Sequence, residues 1–215
     1  DFYVSDIKCS KDGASFVLNV DGGRMARYIQ GDTYNTNVND STYKNGKYNF
    51  TTKLIGKNNI KDIAYAIAYG MLKDVAIDEI VSAVKGLEQV KNRLELINVS
   101  DDTILINDAY NSNPIGSKSA IDTVSLFDGY KKIIVTPGMV ELGDKQYEKN
   151  NEMAKHASKY MDEVIVVGET NKEALMDGAG DKALFIKEEK DAIAYAMGEQ
   201  DKKIILLEND LTDNY

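Results

Sequence analysis

From Lys131 to Gly168 the chain reads KKIIVTPGMVELGDKQYEKNNEMAKHASKYMDEVIVVG, and the alternation in this stretch decides the fold. Ile133 to Thr136 and Val164 to Val167 are short apolar runs, rich in β-branched residues and closed off by charge, Pro or Gly. Runs of that length and composition suit strands buried on both faces. Between them, residues 144–161 read as an amphipathic helix. The same pattern continues with apolar runs at 183–186 and 203–208 and helical stretches at 117–127, 170–177 and 189–198. Strict alternation of strand and helix predicts an α/β domain, Rossmann-like, with a mostly parallel sheet and crossover helices.

Immediately upstream, Leu94 to Val99 and Thr103 to Asp108 are strand-like runs joined by Ser100-Asp101-Asp102, a turn sequence, so a hairpin should lead into the α/β unit. Farther upstream, Asn59 to Leu72 carries an apolar stripe of Ile60, Ile63, Ala64, Ile67 and Met71. Asp78 to Leu87 carries another of Ile80, Val81, Val84 and Leu87, and together these segments predict a helical pair. Residues 1–55 alternate like strands at Phe2 to Ile7, Ala14 to Val20 and Tyr48 to Ile55, with a polar loop or added hairpin between 31 and 47. The domain boundary falls within 90–98, giving domains 1–93 and 94–215.

The 215 residues, 43% of them hydrophobic, suffice for a sizeable core. A formal charge of -9 disfavours a broad nucleic-acid surface, which needs clustered Lys and Arg. No apolar run has the length of a membrane span, and the first residues lack the order of a signal peptide. The single Cys9 excludes an internal disulfide, so a cytoplasmic location is the expectation.

Four segments carry a resemblance: Gly56 to Gly70 (GKNNIKDIAYAIAYG), Val90 to Leu96 (VKNRLEL), Ile106 to Ile121 (INDAYNSNPIGSKSAI) and Thr136 to Gly143 (TPGMVELG). In this order and spacing the chain resembles the Mur ligases, and the last segment is similar to those that add D-alanyl-D-alanine, the MurF type. The resemblance spans roughly residues 1–210. It implies that residues 1–93 are the β-strand and helical-pair tail of a central ATPase domain, and that 94–215 are the carboxy-terminal ligase domain. It further implies an enzyme: an ATP-dependent acid-amino-acid ligase of peptidoglycan precursor synthesis. Its partners would be a UDP-MurNAc-peptide and an amino acid or dipeptide acceptor, and it would act through an acyl phosphate.

By that resemblance Arg93 is the catalytic residue and reaches the ATP phosphates, Asp108 takes the ribose hydroxyls and Asn59 contacts the base. Asn111, Asn113 and Thr136 lie on loops expected to meet substrate. ATP and Mg2+ are the implied cofactors, with their ligands mainly outside this chain, and the missing amino-terminal part of the enzyme would be a partner. Three positions depart from the family pattern: Asn58 stands where relatives commonly have His, Asp62 where they have Asn, and Asn150 where His often follows the Glu-Leu-Gly segment.

The residues also admit plainer readings. Arg93 could pair with Glu95, and Asp108 could simply open the turn before Pro114. The three Asn and Thr positions fit a turn, with Ser117 capping the next helix, and an ordinary strand-to-helix loop. His156, the only histidine, reads as part of a solvated helix face. No G-x-x-x-x-G-K-[ST] loop, zinc cluster, G-x-S-x-G elbow or G-x-G-x-x-G fingerprint occurs. This chain alone is therefore expected to be inactive. The alternatives are a non-catalytic α/β binding module derived from the same fold, and a flavodoxin- or receiver-like domain that would leave residues 1–93 unexplained.

Overall fold

The computed structural model describes residues 2–21, 45–198 and 201–209. The loop or hairpin expected at 31–47 therefore lies outside the described residues up to position 44, as does the end of the chain after Asn209. Two compact units emerge, Asp1–Glu88 and Gln89–Tyr215. The division falls a few residues before the boundary expected from sequence.

In the first unit, β1 (Phe2–Ser10), β2 (Gly13–Val20) and β3 (Gly46–Thr52) form an antiparallel meander in that order. Phe16 lies opposite Phe50 in the β2/β3 register, and their rings stack with centroids 5.4 Å apart. Such cross-strand aromatic pairs anchor a sheet face. Gly13 opens β2 at φ 118°, and a Cβ there would lie 2.1 Å from the Thr52 carbonyl oxygen, so the close approach of β3 requires glycine. The helical pair follows as α1 (Lys57–Leu72) and α2 (Ile77–Lys85). Helix α1 buries Ile60, Ile63, Ile67 and Met71, spaced to fall on one face, and α2 buries Ile80 and Val84. Ala64 and Val81 are only half-buried, and Leu87 lies beyond the end of α2.

The second unit begins with the expected hairpin, β4 (Glu95–Asn98) antiparallel to β5 (Thr103–Asp108). Then come α3 (Pro114–Ser125), β6 (Lys131–Thr136), α4 (Gln146–Tyr160), β7 (Glu163–Val167), α5 (Lys172–Ala179), β8 (Ala183–Ile186), α6 (Glu189–Gly198) and β9 (Lys203–Glu208). The six-stranded sheet runs β4-β5-β9-β6-β7-β8, parallel except for β4. The last strand thus inserts at the centre, between β5 and β6, and every residue of it is buried. The edge strand β8 is only half-buried, unlike the doubly covered strand its sequence suggested, because among the described residues no strand pairs with its far side.

Three successive crossovers, through α3, α4 and α5, advance in one direction across the sheet, and α6 returns. Right-handed connection puts the first three helices on one face and α6 on the other. The packing agrees: Ala192 and Ala196 of α6 lie in one cluster with Ile133, Val135, Ile165, Val167, Ile205 and Leu207. The alternate residues Ile134, Val166 and Leu206 are equally buried. Both faces of β6, β7 and β9 are therefore core, and the sheet leaves its carboxy-terminal strand ends as the place where polar groups can gather.

Candidate functional site

Polar residues converge where β5, β9 and β6 end. The segment before β4 bends sharply, with Asn92 at φ 57° and Leu94 at φ 52°, both left-handed. The flanking bonds explain how non-glycine residues hold this shape. The Asn92 side-chain oxygen accepts from Asn107 Nδ2 at 2.9 Å, the Asn92 N–H donates to Glu95 Oε2 at 3.1 Å, and the Leu94 N–H donates to Asp108 Oδ1 at 2.9 Å. Gln89 adds a two-way clasp on Leu96, accepting from its N–H at 2.6 Å and donating to its carbonyl at 3.1 Å.

This bend delivers Arg93 to the far end of the hairpin. Arg93 is exposed, and its guanidinium lies over the Tyr110 ring, 4.1 Å from the centroid. The alternative pairing with Glu95 is not formed; that carboxylate is taken by the Asn92 N–H. Arg93 and Asp108 thus occupy one corner. Asp108 is half-buried, and burial raises its carboxyl above the ordinary value, an effect opposed by the Leu94 N–H and the charge of Arg93.

Beside it in the sheet, Asp108 is in register with Glu208. Glu208 was not anticipated as a site residue. It is 1% exposed; its Oε1 accepts from Ser112 Oγ at 2.5 Å, while Oε2 has no hydrogen-bond partner. Burial first, and the neighbouring Asp108 charge second, push its acidity up to about 8. At neutral pH Glu208 is therefore mainly a neutral acid beside an ionisable one. The only signal in the sequence was a charged residue closing an otherwise apolar run.

The remaining expected residues sit as follows. Asn111 is exposed on the loop after Asp108. Asn113 caps α3, its Oδ1 accepting from the N–H groups of Ile115 at 3.1 Å and Gly116 at 2.9 Å, with Pro114 at the first helical position. Ser117, expected as that cap, instead lies within the helix, buried, with its hydroxyl 3.6 Å from Met139 Sδ. Thr136 is fully buried, and its hydroxyl accepts from the Gly138 N–H at 3.0 Å. Asn59 belongs to the first unit, where its amide donates to the Ile55 carbonyl at 2.8 Å in the opening turn of α1.

The loop after β6 is held by a polar network that sequence reasoning missed. Asn150, fully buried on α4, accepts from the Met139 N–H at 2.7 Å and donates to the Met139 carbonyl at 2.9 Å. Asn171 donates to the carbonyls of Pro137 and Met139, Gln146 donates to Met139, and Asn209 donates to Gly138. Gly138 stands at φ 79°, and a Cβ there would meet Asn150 Oδ1 at 2.5 Å. The departure from His at position 150 therefore has a structural occupant: an amide that accepts from the N–H and donates to the carbonyl of one residue, Met139. His156 also differs from expectation. It is 17% exposed, with Nε2 2.7 Å from Asp122 Oδ1, because α3 packs beside α4 and covers that face.

Fold and strand-end chemistry define an α/β domain of the kind that presents an acid and a cation at the carboxy-terminal edge of its sheet. Residues 92–207 match the family model of the Mur ligase, glutamate ligase domain, and the chain belongs to the Mur ligase family. It is 36% identical over 104 residues to the UDP-N-acetylmuramoyl-tripeptide--D-alanyl-D-alanine ligase of Bacillus subtilis, a match covering 48% of this chain and 23% of that protein. It is 23% identical over 217 residues to the UDP-N-acetylmuramoyl-L-alanyl-D-glutamate--2,6-diaminopimelate ligase of Listeria monocytogenes, covering 96% of this chain and 39% of the relative. Among solved structures, MurF from Acinetobacter baumannii superposes with a TM-score of 0.71 at 18% identity, over 98% of this chain and 42% of that one. MurF from Thermotoga maritima, solved in complex with ADP, gives 0.71 at 15% identity, over 98% and 43%. The chain thus spans less than half the length of the proteins it resembles.

Proposed function

We propose that this chain is the carboxy-terminal part of an ATP-dependent amide ligase of peptidoglycan precursor synthesis, acting in the cytoplasm on a UDP-MurNAc-peptide. The observation that carries this reading is the corner in which Arg93, Tyr110 and Asp108 meet at the end of β5, in a chain of the Mur ligase family. The acceptor is an amino acid or dipeptide, and similarity to D-alanyl-D-alanine-adding relatives favours the dipeptide.

When bound, ATP supplies the phosphoryl group that converts the donor carboxylate into an acyl phosphate. The acceptor amine then attacks the acyl carbon, loses a proton and displaces phosphate, leaving an amide. Arg93, exposed and braced against an aromatic face, is available to a phosphoryl group that gains charge. Asp108 has one oxygen committed to the Leu94 N–H and another able to accept from ribose hydroxyls. Asn59 would meet the base, and the exposed Asn111 and the loop fixed after Thr136 would border the acceptor. The network of Asn150, Asn171 and Asn209 keeps that loop rigid, which is what a positioning surface requires. Mg2+, which is typically held by one or two carboxylates together with substrate phosphates, would take its ligands mainly outside this chain.

The test is steady-state kinetics in the full-length ligase. Arg93→Ala should lower turnover by about 10²–10³, the usual loss for one electrostatic contact to developing charge. Asp108→Ala should mainly raise KM for ATP, because ribose contacts are made equally in ground and transition states. Near-normal ATP kinetics in both folded variants would refute the assignment.

A further inference from the structure

We propose that the groove between α3 and α4 is a binding site for a small multivalent phosphate compound, separate from the corner at the end of β5. The groove encloses about 330 Å³, at the lower end of the range for ligand pockets. Although the chain carries a formal charge of -9, four lysines line this one groove: Lys118 from α3, and Lys149, Lys155 and Lys159 from α4.

The nearby acids are already engaged. Glu152 holds Lys149 at 2.7 Å, and Asp122 holds His156 at 2.7 Å. Lys118, Lys155 and Lys159 have no acidic partner among the described residues. Lys155 and Lys159 are four apart on α4, a like-charge spacing that weakens a helix. The helix dipole accounts for Lys159 in the last turn of α4, but not for Lys118 facing it from another helix. A local rule broken on two elements at once, around one concavity, marks a place where a ligand supplies the missing charge.

The donors specify the ligand's chemistry. Ammonium groups act as point charges with N–H donors and no acceptors, which suits phosphate oxygens. Three unpaired cations call for an anion of two or more charges, and the volume restricts it to a small molecule. His156 lines the same groove, with its Nε2 turned to Asp122 and Tyr160 edge-on to the ring at 5.1 Å. It is the only histidine in the chain, so its ring resonances report on the groove without ambiguity.

The experiment titrates inorganic pyrophosphate into the full chain and follows the His156 ring by ¹H–¹³C NMR, with sodium chloride at matched ionic strength as the control. The expected result is a saturable shift with pyrophosphate and none with chloride. Removing two exposed cations in the Lys155→Gln/Lys159→Gln variant should weaken binding about tenfold. Glu152→Gln, which removes an acid from the rim, should tighten it; a merely structural role for these residues would not reverse sign in this way. Lys118→Gln, on the other helix, gives an independent loss if the double variant fails to fold. A non-saturating response, an equal response to chloride, or unchanged affinity in the lysine variants would overturn the proposal. ATP kinetics at the Arg93 corner do not enter the result, so the site and the ligase reading stand or fall separately.

Discussion

Replacing Glu208 by Gln should make the second unit more stable as pH rises, by an amount set by its burial. The Glu208 acidity lies at about 8 in the folded chain against an ordinary 4.5. Because the folded value is raised, the native state holds a proton that the unfolded chain releases. The contribution is fully favourable below pH 4.5, is lost progressively as pH rises, and levels off above about 8. The slope through that window is roughly 1.4 kcal/mol per pH unit, so at pH 7 wild type forgoes about 3 kcal/mol. That is a large part of the 5–15 kcal/mol that typically stabilises a domain. Gln keeps the acceptor for Ser112 and cannot ionise. Its second amide donor replaces an oxygen that already lacks a partner, a cost that does not vary with pH. Since the chain has no Trp, urea unfolding is best followed through the amide signals of β9 between pH 5 and 8. The difference between variant and wild type should widen by about 2–3 kcal/mol between pH 5 and pH 7. Asp108→Asn, which removes the second cause of the shift, should move the same window to lower pH. Parallel stability curves for wild type and Glu208→Gln would refute the reasoning.

Other consequences follow from the same packing. Asn150→Ala leaves the buried Met139 N–H without its partner, while the Met139 carbonyl keeps Asn171 and Gln146, and should destabilise the second unit by about 1–3 kcal/mol in chemical denaturation. Asn113→Ala removes the cap of α3 and should cost about 1 kcal/mol, with Asn113→Ser close to wild type. Gly138→Ala should be worse tolerated than Gly129→Ala, since both have positive φ but only the former meets a neighbour, at Asn150; thermal melts of the two variants decide this. The isolated chain, having no phosphate-cradling loop, should neither hydrolyse ATP nor form amide bonds; turnover in a preparation free of contaminating ATPase would contradict the proposed function.

What could be read from the sequence was what depends on near neighbours along the chain. The strands at 133–136 and 164–167, the hairpin around Ser100-Asp101-Asp102 and the stripe of Ile60, Ile63, Ile67 and Met71 follow from periodicity and turn chemistry within a few residues. Because that hairpin is local, the meeting of Arg93 with Asp108 was also legible, and the family segments supplied the roles proposed for them. Strand order was not legible: nothing within β9 states that it inserts between β5 and β6, since that depends on crossover direction across more than a hundred residues. With the order went the burial of Glu208, whose acidity depends on Asp108 from the neighbouring strand. The amide network around Met139 joins residues from α4, the start of α5 and the end of β9, whereas the cap of α3 at Asn113 follows from a local signal, an Asn directly before Pro at the first helical position. Backbone periodicity is a short-range property, whereas desolvation, buried hydrogen bonds and charge proximity belong to distances that exist only once the sheet has closed.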